Sequence, residues 1–442
     1  MNGKRRLKMK QLTRLFIPIC LETLFYMLSG MVDTLMLSAV GDYAVGAVGT
    51  ANSYIGIFII MFSIISSGMV SVMTQNIGAG RPGVAYQARQ LGLLFNAVAG
   101  VLMAVFLFSG AGAILRMVGI ADALYEPALI YLKIVGGGCI LNAVIPIFSS
   151  YLRAFGYTKQ PLYATIVGNI ANFVMNAVFL FVLHKGVAGV AAATVISKIL
   201  NLCIVLYFSH KLISAKNSTE RIANKTVLGQ IVKVGLPSAC ETALYNVAMM
   251  LVIRFLNQMD AEGLNVTARS YTATISNFSY CVGAALAQAN AIMTGWHIGA
   301  GELEECDRGT KRAAFVGVCV AVCIETAIVL GSGFIMPLFT DNPEMTALVR
   351  KLLAIDIVLE IGRVTNLVFG QALKTSGDAV FPAVIAAVFM FVFAVGGTWL
   401  FGISMGLMAV GAYIGLASDE CVRAVGMVWR WKTGKWRTKK LV

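Results

Sequence analysis

Long, predominantly apolar stretches recur along the chain and constrain its fold more than any other feature. Leu15–Val40, Gly92–Leu115 and Val380–Phe401 are examples, and each reaches the about 20 residues that a helix needs to cross the hydrocarbon core of a bilayer. A membrane β-barrel would instead show strands of about 10 residues with alternating hydrophobicity. Only 13% of the 442 residues are charged, whereas a soluble domain has about 25%. The sequence therefore predicts an all-α integral membrane protein.

The apolar stretches predict twelve transmembrane helices, and the basic residues predict their orientation. The spans lie at approximately 13–40, 46–74, 90–115, 125–149, 161–183, 188–209, 229–256, 267–294, 311–337, 348–372, 379–401 and 405–429. With the N-terminus inside, most of the 35 Lys and Arg residues fall in segments on the cytoplasmic side, as the positive-inside rule requires. We therefore expect a multi-pass protein of the bacterial inner membrane with both termini in the cytoplasm. The net charge of +14 therefore does not indicate binding of nucleic acid, and the expected partner is the lipid bilayer. Trp429, Trp431 and Trp436 predict an anchor at the inner interface.

The chain contains an internal duplication with an offset of about 220 residues. Three motifs occur twice in the same order: Pro18–Tyr26 with Pro237–Tyr245, Ile77–Gly80 with Ile298–Gly301, and Leu152–Gly156 with Leu373–Gly377. Each half carries six predicted spans, so the halves share one orientation and form two pseudo-symmetric six-helix bundles. The predicted boundaries are 1–209 for the first lobe, 210–228 for a polar cytoplasmic linker and 229–442 for the second lobe.

Two sites predict irregular helices. Pro18 lies inside the first span, where a proline removes one backbone hydrogen bond and bends a helix. Both a functional hinge and a static kink are compatible with this position. The run Gly136-Gly137-Gly138 in the fourth span predicts close helix packing or a bend.

Acidic residues inside the membrane are costly and are therefore functional candidates. Asp33 is the strongest candidate, and Glu22, Tyr26 and Ser29 lie on the same face of the first span because the four residues are spaced by 4, 3 and 4 positions. Asp33 lies in the outer half of that span, where an external ion reaches it. The alternative is a carboxylate that only hydrogen-bonds to Asn or Thr in the bundle core. Val252 stands at the equivalent position of the second half, so the two halves differ chemically.

The second half carries its own ionisable residues. Glu241 is the repeat equivalent of Glu22, and for both we leave open an ion or substrate site and a structural network. Asp356, Glu360 and Arg363 follow one another at i, i+4 and i+7 in the tenth span, which predicts either a buried salt bridge of Arg363 or a second ion site. Further candidates for the lining of a substrate cavity are Tyr26, Ser29, Tyr245, Asn277 and Tyr280. Glu325 in the ninth span has no assigned role.

The chain resembles the multidrug and toxic compound extrusion (MATE) family over nearly its whole length. The resemblance rests on Gly30–Thr34, Gln75–Arg81, Leu152–Gly156 and Gly377-Asp378. It implies two six-helix lobes arranged in a V, which export amphipathic, often cationic compounds in exchange for protons or sodium by alternating access. It also implies that Asp33 carries the coupling ion. In some members of the family, bending of the first helix at a proline like Pro18 accompanies protonation. Some sodium-coupled members use an aspartate near the position of Arg363, which favours protons here.

Several other functions are less compatible with the sequence. A lipid-linked oligosaccharide flippase of a related two-lobed class is the main alternative, but it would carry many intramembrane Arg and Lys residues, and few are predicted here. An enzyme is not expected, because the three His residues form no cluster with acids. No nucleotide-binding loop appears, and we expect no cofactor besides the coupling ion, no metal site and no disulfide among the nine Cys residues. The predicted partners are small organic molecules, and the protein is expected to be a monomer.

Overall fold

Helices form almost the entire structure, which is a computed structural model that describes residues 2–213, 220–260 and 263–442. Within these ranges the secondary structure contains no strand. Two compact units divide the chain, Met1–Gly235 and Leu236–Val442. The predicted fold class, an all-α membrane protein with a duplicated helical architecture, is confirmed.

The first unit contains seven complete helices. Their bounds are α1 Asn2–Ser38, α2 Asp42–Gly78, α3 Pro82–Val118, α4 Asp122–Gly137, α5 Cys139–Ala154, α6 Lys159–Ala177 and α7 Gly186–Leu212. A π-helical turn, Val178–Val182, continues α6. Helix α1 runs without a break through Pro18.

The remaining helices belong mainly to the second unit. Their bounds are α8 Asn224–Met259, α9 Leu264–Gly299, α10 Leu303–Ile335, α11 Pro343–Ser376, α12 Val380–Phe389 and α13 Met408–Lys432. Two π-helical segments, Met390–Val395 and Thr398–Ser404, continue α12. Short 3-10 helices, Met336–Leu338 and Lys435–Thr438, follow α10 and α13.

The glycine run in the fourth predicted span produces a bend. Helices α4 and α5 meet at an angle of 41°, with Gly138 between them. A Cβ atom on Gly138 would lie 3.2 Å from Cγ2 of Val195, so this position also allows a close approach to α7. Counting the bent pair as one span, the thirteen described α-helices correspond one to one to the twelve predicted spans.

Three of the long helices are less apolar than ordinary membrane spans. By length and composition, eight described helices qualify as spans, or nine with the bent pair. Helices α9, α11 and α13 are long enough but fail on composition. They pack against one another, with α11 in contact with both α9 and α13. Their polar residues are therefore collected in the interior of the second unit.

The predicted linker, 210–228, differs from the observed connection. Helix α7 extends to Leu212 and α8 already begins at Asn224, while residues 214–219 of the predicted linker lie outside the described residues. The first turns of α8, up to Gly235, belong to the first compact unit. There they lie so close to α2 that a Cβ atom on Gly235 would be 1.7 Å from the carbonyl oxygen of Ile64.

Backbone geometry repeats the duplication that the sequence motifs predict. Gly80 and its equivalent Gly301 both have a φ of 75°, and Gly156 and Gly377 have φ values of 84° and 96°. These values lie in the left-handed region, which only glycine adopts at little cost. The π-helical turn after α6 also has its counterpart in the π-helical segments after α12.

The predicted tryptophan anchor is wrong for two of its three members. Trp431 and Trp436 are both 1% exposed, whereas Trp429 is 57% exposed. The two buried rings stack with their centroids 4.2 Å apart, and the indole nitrogen of Trp436 donates to the carbonyl oxygen of Trp431. The C-terminal segment therefore folds onto the second unit, and these two indoles are unavailable to lipid.

Candidate functional site

Asp33 is held by an asparagine of a neighbouring helix. The Nδ2 atom of Asn176 on α6 donates to Oδ1 of Asp33 at 2.7 Å and also lies 3.1 Å from Oδ1 of Asn172. Both asparagines are buried, while Asp33 on α1 is half-buried. Among the described residues no Lys or Arg nitrogen lies within 4 Å of the Asp33 carboxylate. The Asn contact named as the structural alternative therefore exists, and it leaves the acid without an ion-pair partner.

Lys198 on α7 is the basic residue that faces this region of the first unit. Its Nζ atom donates to Oδ1 of Asn142 on α5 at 2.9 Å. Lys198 lies within electrostatic range of Asp33 without forming an ion pair with it. Asp33 is therefore surrounded by the amides of Asn172 and Asn176 and lies within electrostatic range of one base, Lys198.

Glu22 and Glu241 form equivalent ion pairs in the two units. Arg153 on α5 lies 2.5 Å from Oε1 of Glu22 on α1. In the second unit, Nζ of Lys374 on α11 lies 2.8 Å from Oε2 of Glu241 on α8. The glutamate of each duplicated P-x-x-x-E-T motif thus binds the base of the duplicated Leu-Arg/Lys motif. In each unit this ion pair joins two of the duplicated motifs, a contact that the repeat offset alone did not predict.

A polar cavity of about 480 Å³ lies inside the second unit. Residues of α8, α9, α11 and α13 line it, together with the π-helical segment after α12. Three predicted cavity residues, Tyr245, Asn277 and Tyr280, are among them. Tyr26 and Ser29 are on α1 of the first unit, where Tyr26 is 71% exposed and Ser29 is half-buried.

Acidic and basic side chains line this cavity in equal numbers. The acids are Glu241, Asp356, Asp419 and Glu420, and the bases are Arg269, Arg363, Lys374 and Arg423. Of these four bases, the sequence interpretation counted only Arg363 among the few inside the membrane. Arg423 escaped it because the last predicted span ends only six residues later, near a basic cytoplasmic terminus, whereas the structure leaves Arg423 only 4% exposed.

An ion-pair network connects α11 to α13 along one wall of the cavity. Arg363 contacts Oε1 of Glu360 on its own helix, and its Nε atom lies 3.9 Å from Glu420 of α13. Arg423 binds Asp419 at 2.7 Å and Glu420 at 2.8 Å. The salt-bridge alternative for Arg363 is thus present in the structure. The i, i+4 spacing of Asp419 and Arg423 is a sequence signal for part of this network.

Glu325 lies beside Asp356 and Glu360, although the sequence offered no role for it. One carboxylate oxygen from each of the three residues lies within 4.8 Å of the other two. All three side chains are at most 2% exposed. A lone acid on α10 carries no spacing signal, so this cluster depends entirely on the packing of α10 against α11.

These features define a membrane transporter: two duplicated units of long apolar helices, acids without an ion-pair partner among the described residues, and a polar cavity of a size typical for small ligands. The family model MatE matches residues 18–178 and 237–400. A relative in Bacillus subtilis, described as the uncharacterized transporter YisQ, is 32% identical over 428 residues, which are 96% of this chain and 94% of the relative. The probable multidrug resistance protein NorM of Thermotoga maritima is 20% identical, with 98% of this chain and 94% of the relative covered. The chain belongs to the MATE family of transporters and is not an enzyme.

Solved structures show the same fold. A MATE crystal structure in complex with MaD5 superposes with a TM-score of 0.88 at 20% identity and covers 97% of this chain and 96% of its own. A Vibrio cholerae MATE transporter gives a TM-score of 0.87 at 18% identity, with 97% and 98% covered. At these identities the comparison establishes the two-lobed, twelve-helix fold.

Proposed function

We propose that this chain is a secondary active antiporter that exports amphipathic, often cationic small organic molecules in exchange for protons, or for sodium, by alternating access. The observation that carries the proposal is the Asp33 carboxylate, which is half-buried in α1 and is held by the Asn176 amide without an ion-pair partner among the described residues. A neutral amide can hydrogen-bond to the carboxyl group in its charged form and in its protonated form. Asp33 can therefore gain and lose a cation without the loss of a salt bridge.

The other predicted ion-coupling acids have different surroundings. Glu22, Glu241 and Glu360 each contact a base, so a coupling ion that binds to one of these carboxylates would have to compete with that base. Asp356 forms no ion pair within 4 Å in the described part of the chain, but it is only 2% exposed. Asp33 combines the lack of a pairing base among the described residues with partial exposure, so we assign the coupling role to it.

The cavity of the second unit supports binding of a small organic molecule. Its volume of about 480 Å³ lies within the range of about 300–1,000 Å³ for ligand sites. Tyr245 and Tyr280 supply aromatic surface for a cation, and Glu241, Asp419 and Glu420 supply negative charge. We infer that substrates with a positive group bind on this wall.

The alternative function, a flippase for lipid-linked oligosaccharides, has one observation in its favour. Four bases line the cavity, and bases would suit the phosphate of such a lipid. The same cavity holds four acids, which would repel the phosphate. Because the acids balance the bases, the cavity has no excess of positive charge for a phosphate, which favours the antiporter over the flippase.

The site of action follows from the distribution of charge. We propose that the protein functions as a monomer in the bacterial inner membrane with both termini in the cytoplasm. The concentration of Lys and Arg residues in the segments of one side supports this orientation. Its partners are then lipid and small organic substrates, with a proton or sodium ion as the coupling species.

Transport by the purified protein in proteoliposomes tests the proposal. A pH gradient and a sodium gradient are imposed separately, and movement of the fluorescent cation ethidium is followed. We expect the pH gradient to drive transport in the wild type and Asp33→Asn to abolish it, because the amide cannot exchange a proton. Asp341→Asn, a matched change at an exposed position, should retain the wild-type rate.

The same measurement separates the alternatives. Wild-type rates in Asp33→Asn would remove this acid from the mechanism. If transport responds only to the sodium gradient, sodium and not the proton is the coupling ion. Movement of a fluorescent lipid-linked sugar without any ion gradient would favour the flippase.

A further inference from the structure

Three buried carboxylates lie close together in the second unit. They have no part in the proposed coupling at Asp33. Glu325 comes from α10, and Asp356 and Glu360 come from successive turns of one face of α11. One oxygen of each lies within 4.8 Å of the other two, and the exposed fractions are 0%, 2% and 0%. Like charges at this separation repel one another strongly in a medium of low polarity.

Six buried oxygen atoms at this place have no hydrogen-bond partner of normal geometry. They are Oε1 and Oε2 of Glu325, Oδ2 of Asp356, Oε2 of Glu360, and the hydroxyl oxygens of Ser276 and Ser279. The two serines are on α9 and are buried, with Ser276 beside Asp356 and Ser279 beside Glu325. Buried polar atoms are almost always paired, so a group of six unpaired oxygens at one point indicates a ligand.

The surrounding charges do not neutralise the cluster. Arg363 contacts Oε1 of Glu360, which leaves the other oxygen of this carboxylate directed to the cluster. Within the described residues, Glu325 and Asp356 have no ion pair within 4 Å. The other nearby charge, Glu420 on α13, is negative and is itself bound by Arg423. With all three carboxylates ionised, one guanidinium would leave two negative charges, which a cation would compensate.

We propose that Glu325, Asp356 and Glu360, with the hydroxyls of Ser276 and Ser279, bind a small, hard cation of the size of Ca²⁺ or Na⁺. Carboxylate and hydroxyl oxygens are the ligands that hard cations prefer. Ca²⁺ takes 6–8 oxygens at about 2.3–2.6 Å, so any two oxygens around such an ion lie at most about 5.2 Å apart. One oxygen from each of the three carboxylates meets this condition. Mg²⁺ requires shorter distances of about 2.0–2.1 Å and keeps several waters.

The site would fix the packing of three helices at once. The cation joins α9 through the serines, α10 through Glu325, and α11 through Asp356 and Glu360. One of its ligands, Asp356, also lines the cavity together with Arg363. Binding therefore stabilises the folded second unit directly and does not require transport.

Equilibrium binding to the purified full-length protein tests this proposal. The protein is stripped with a chelator and kept in choline chloride, then titrated by calorimetry with CaCl₂, NaCl, MgCl₂ or KCl at matched ionic strength. Thermal unfolding is followed in parallel. We expect saturable binding of Ca²⁺ or Na⁺ and a higher unfolding temperature, because a ligand that binds only the folded state stabilises it. Comparison of the titrations with CaCl₂ and NaCl identifies which of these two cations occupies the site.

Glu325→Gln provides the decisive variant, with Glu304→Gln at an exposed position of the same helix as its control. We expect Glu325→Gln to weaken cation binding more than about 100-fold, since loss of an indirect partner alone costs about 10–100-fold in metal affinity. The control should bind as the wild type does. Because the substitution removes a buried negative charge, Glu325→Gln should fold at least as stably as the wild type in choline chloride.

A second variant covers the case in which Glu325→Gln does not fold. Ser276→Ala with Ser279→Ala removes two oxygens without changing the charge, and we expect about tenfold weaker binding. Absence of saturable binding, stabilisation by KCl equal to that by CaCl₂ and NaCl, or unchanged affinity in both variants would overturn the proposal. Because no gradient is applied, such a failure would leave the proposed antiport by Asp33 untouched.

Discussion

At the scale of single residues, the structure separates acids with a base from acids without one. Glu22 and Glu241 bind Arg153 and Lys374 at corresponding positions of the two units. Asp33 instead accepts a hydrogen bond from Asn176. An acid at membrane depth is therefore not by itself a coupling site, since a neighbouring helix decides whether its charge is already compensated.

The Arg363–Glu360 pair gives a prediction for stability. Glu360 is fully buried, so Arg363→Ala leaves an unpaired charge in the protein interior. We expect the free energy of unfolding to fall by about 3–5 kcal/mol, measured by thermal or denaturant unfolding in detergent. The double variant Glu360→Gln with Arg363→Met should lose less, because neither charge then remains alone. A stable Arg363→Ala protein with altered ion dependence of transport would contradict the structural role.

At the scale of helices, the contact between α2 and the first turns of α8 depends on glycine. Cβ atoms on Gly68 and Gly235 would lie 2.0 Å and 1.7 Å from the carbonyl oxygens of Ile231 and Ile64. Each glycine thus permits a backbone-to-backbone approach that any larger residue prevents.

Gly235→Ala should therefore force the two helices apart. We expect it to lower the free energy of unfolding by about 1–3 kcal/mol, as overpacking of a tight interior does. Gly229→Ala on the same helix is the matched control, because a Cβ atom there meets nothing within 4 Å. Alanine is the better helix former, so the control should be neutral or stabilising. Equal stability of both variants would show that the close contact does not contribute.

The start of α9 provides a pH-dependent prediction outside the membrane spans. Burial alone would raise the pKa of Asp260, but hydrogen bonds donated by Asn265, Leu264 and Gly263 hold this pKa below its ordinary value of 3.8. Its contribution to stability is therefore complete above pH 3.8 and is lost as the pH falls through the lower pKa of the folded state. The protection factors for amide hydrogen exchange in the first turn of α9 should fall in that range. In Asp260→Asn, whose side chain does not titrate, this fall should be absent.

At the scale of the whole molecule, the duplicated units resemble each other in backbone and differ in charge. The left-handed glycines, the π-helical turns and the Glu–base pairs occur in both. The acidic cluster and the network of α11 and α13 belong to the second unit, whereas Asp33 has Val252 as its counterpart. Duplication thus preserved the helical framework, and substitution gave each unit its own polar interior.

The C-terminal segment should stabilise only its own unit. Removal of residues 435–442 exposes Trp431, which stacks on Trp436, and releases Gly377 from its close contact with Lys439. We expect faster amide hydrogen exchange at the C-terminal ends of α11 and α13 and unchanged exchange in α1–α6. Trp436→Phe, which retains an aromatic ring, should show a smaller effect. Uniform acceleration along the chain would contradict two separately compact units.

The sequence by itself determined the number of spans, the duplication and the family, because hydrophobic length, motif spacing and glycine positions are local properties of the chain. It also identified Asp33, Tyr245, Asn277 and Tyr280, since unusual polar residues stand out in apolar segments. Only the tertiary structure decided which acids are paired and that Glu325 joins Asp356 and Glu360. It also revealed that Arg423 is buried. These features depend on which faces of separate helices meet, and electrostatic interactions between residues far apart in the chain leave no periodic signal in a single sequence.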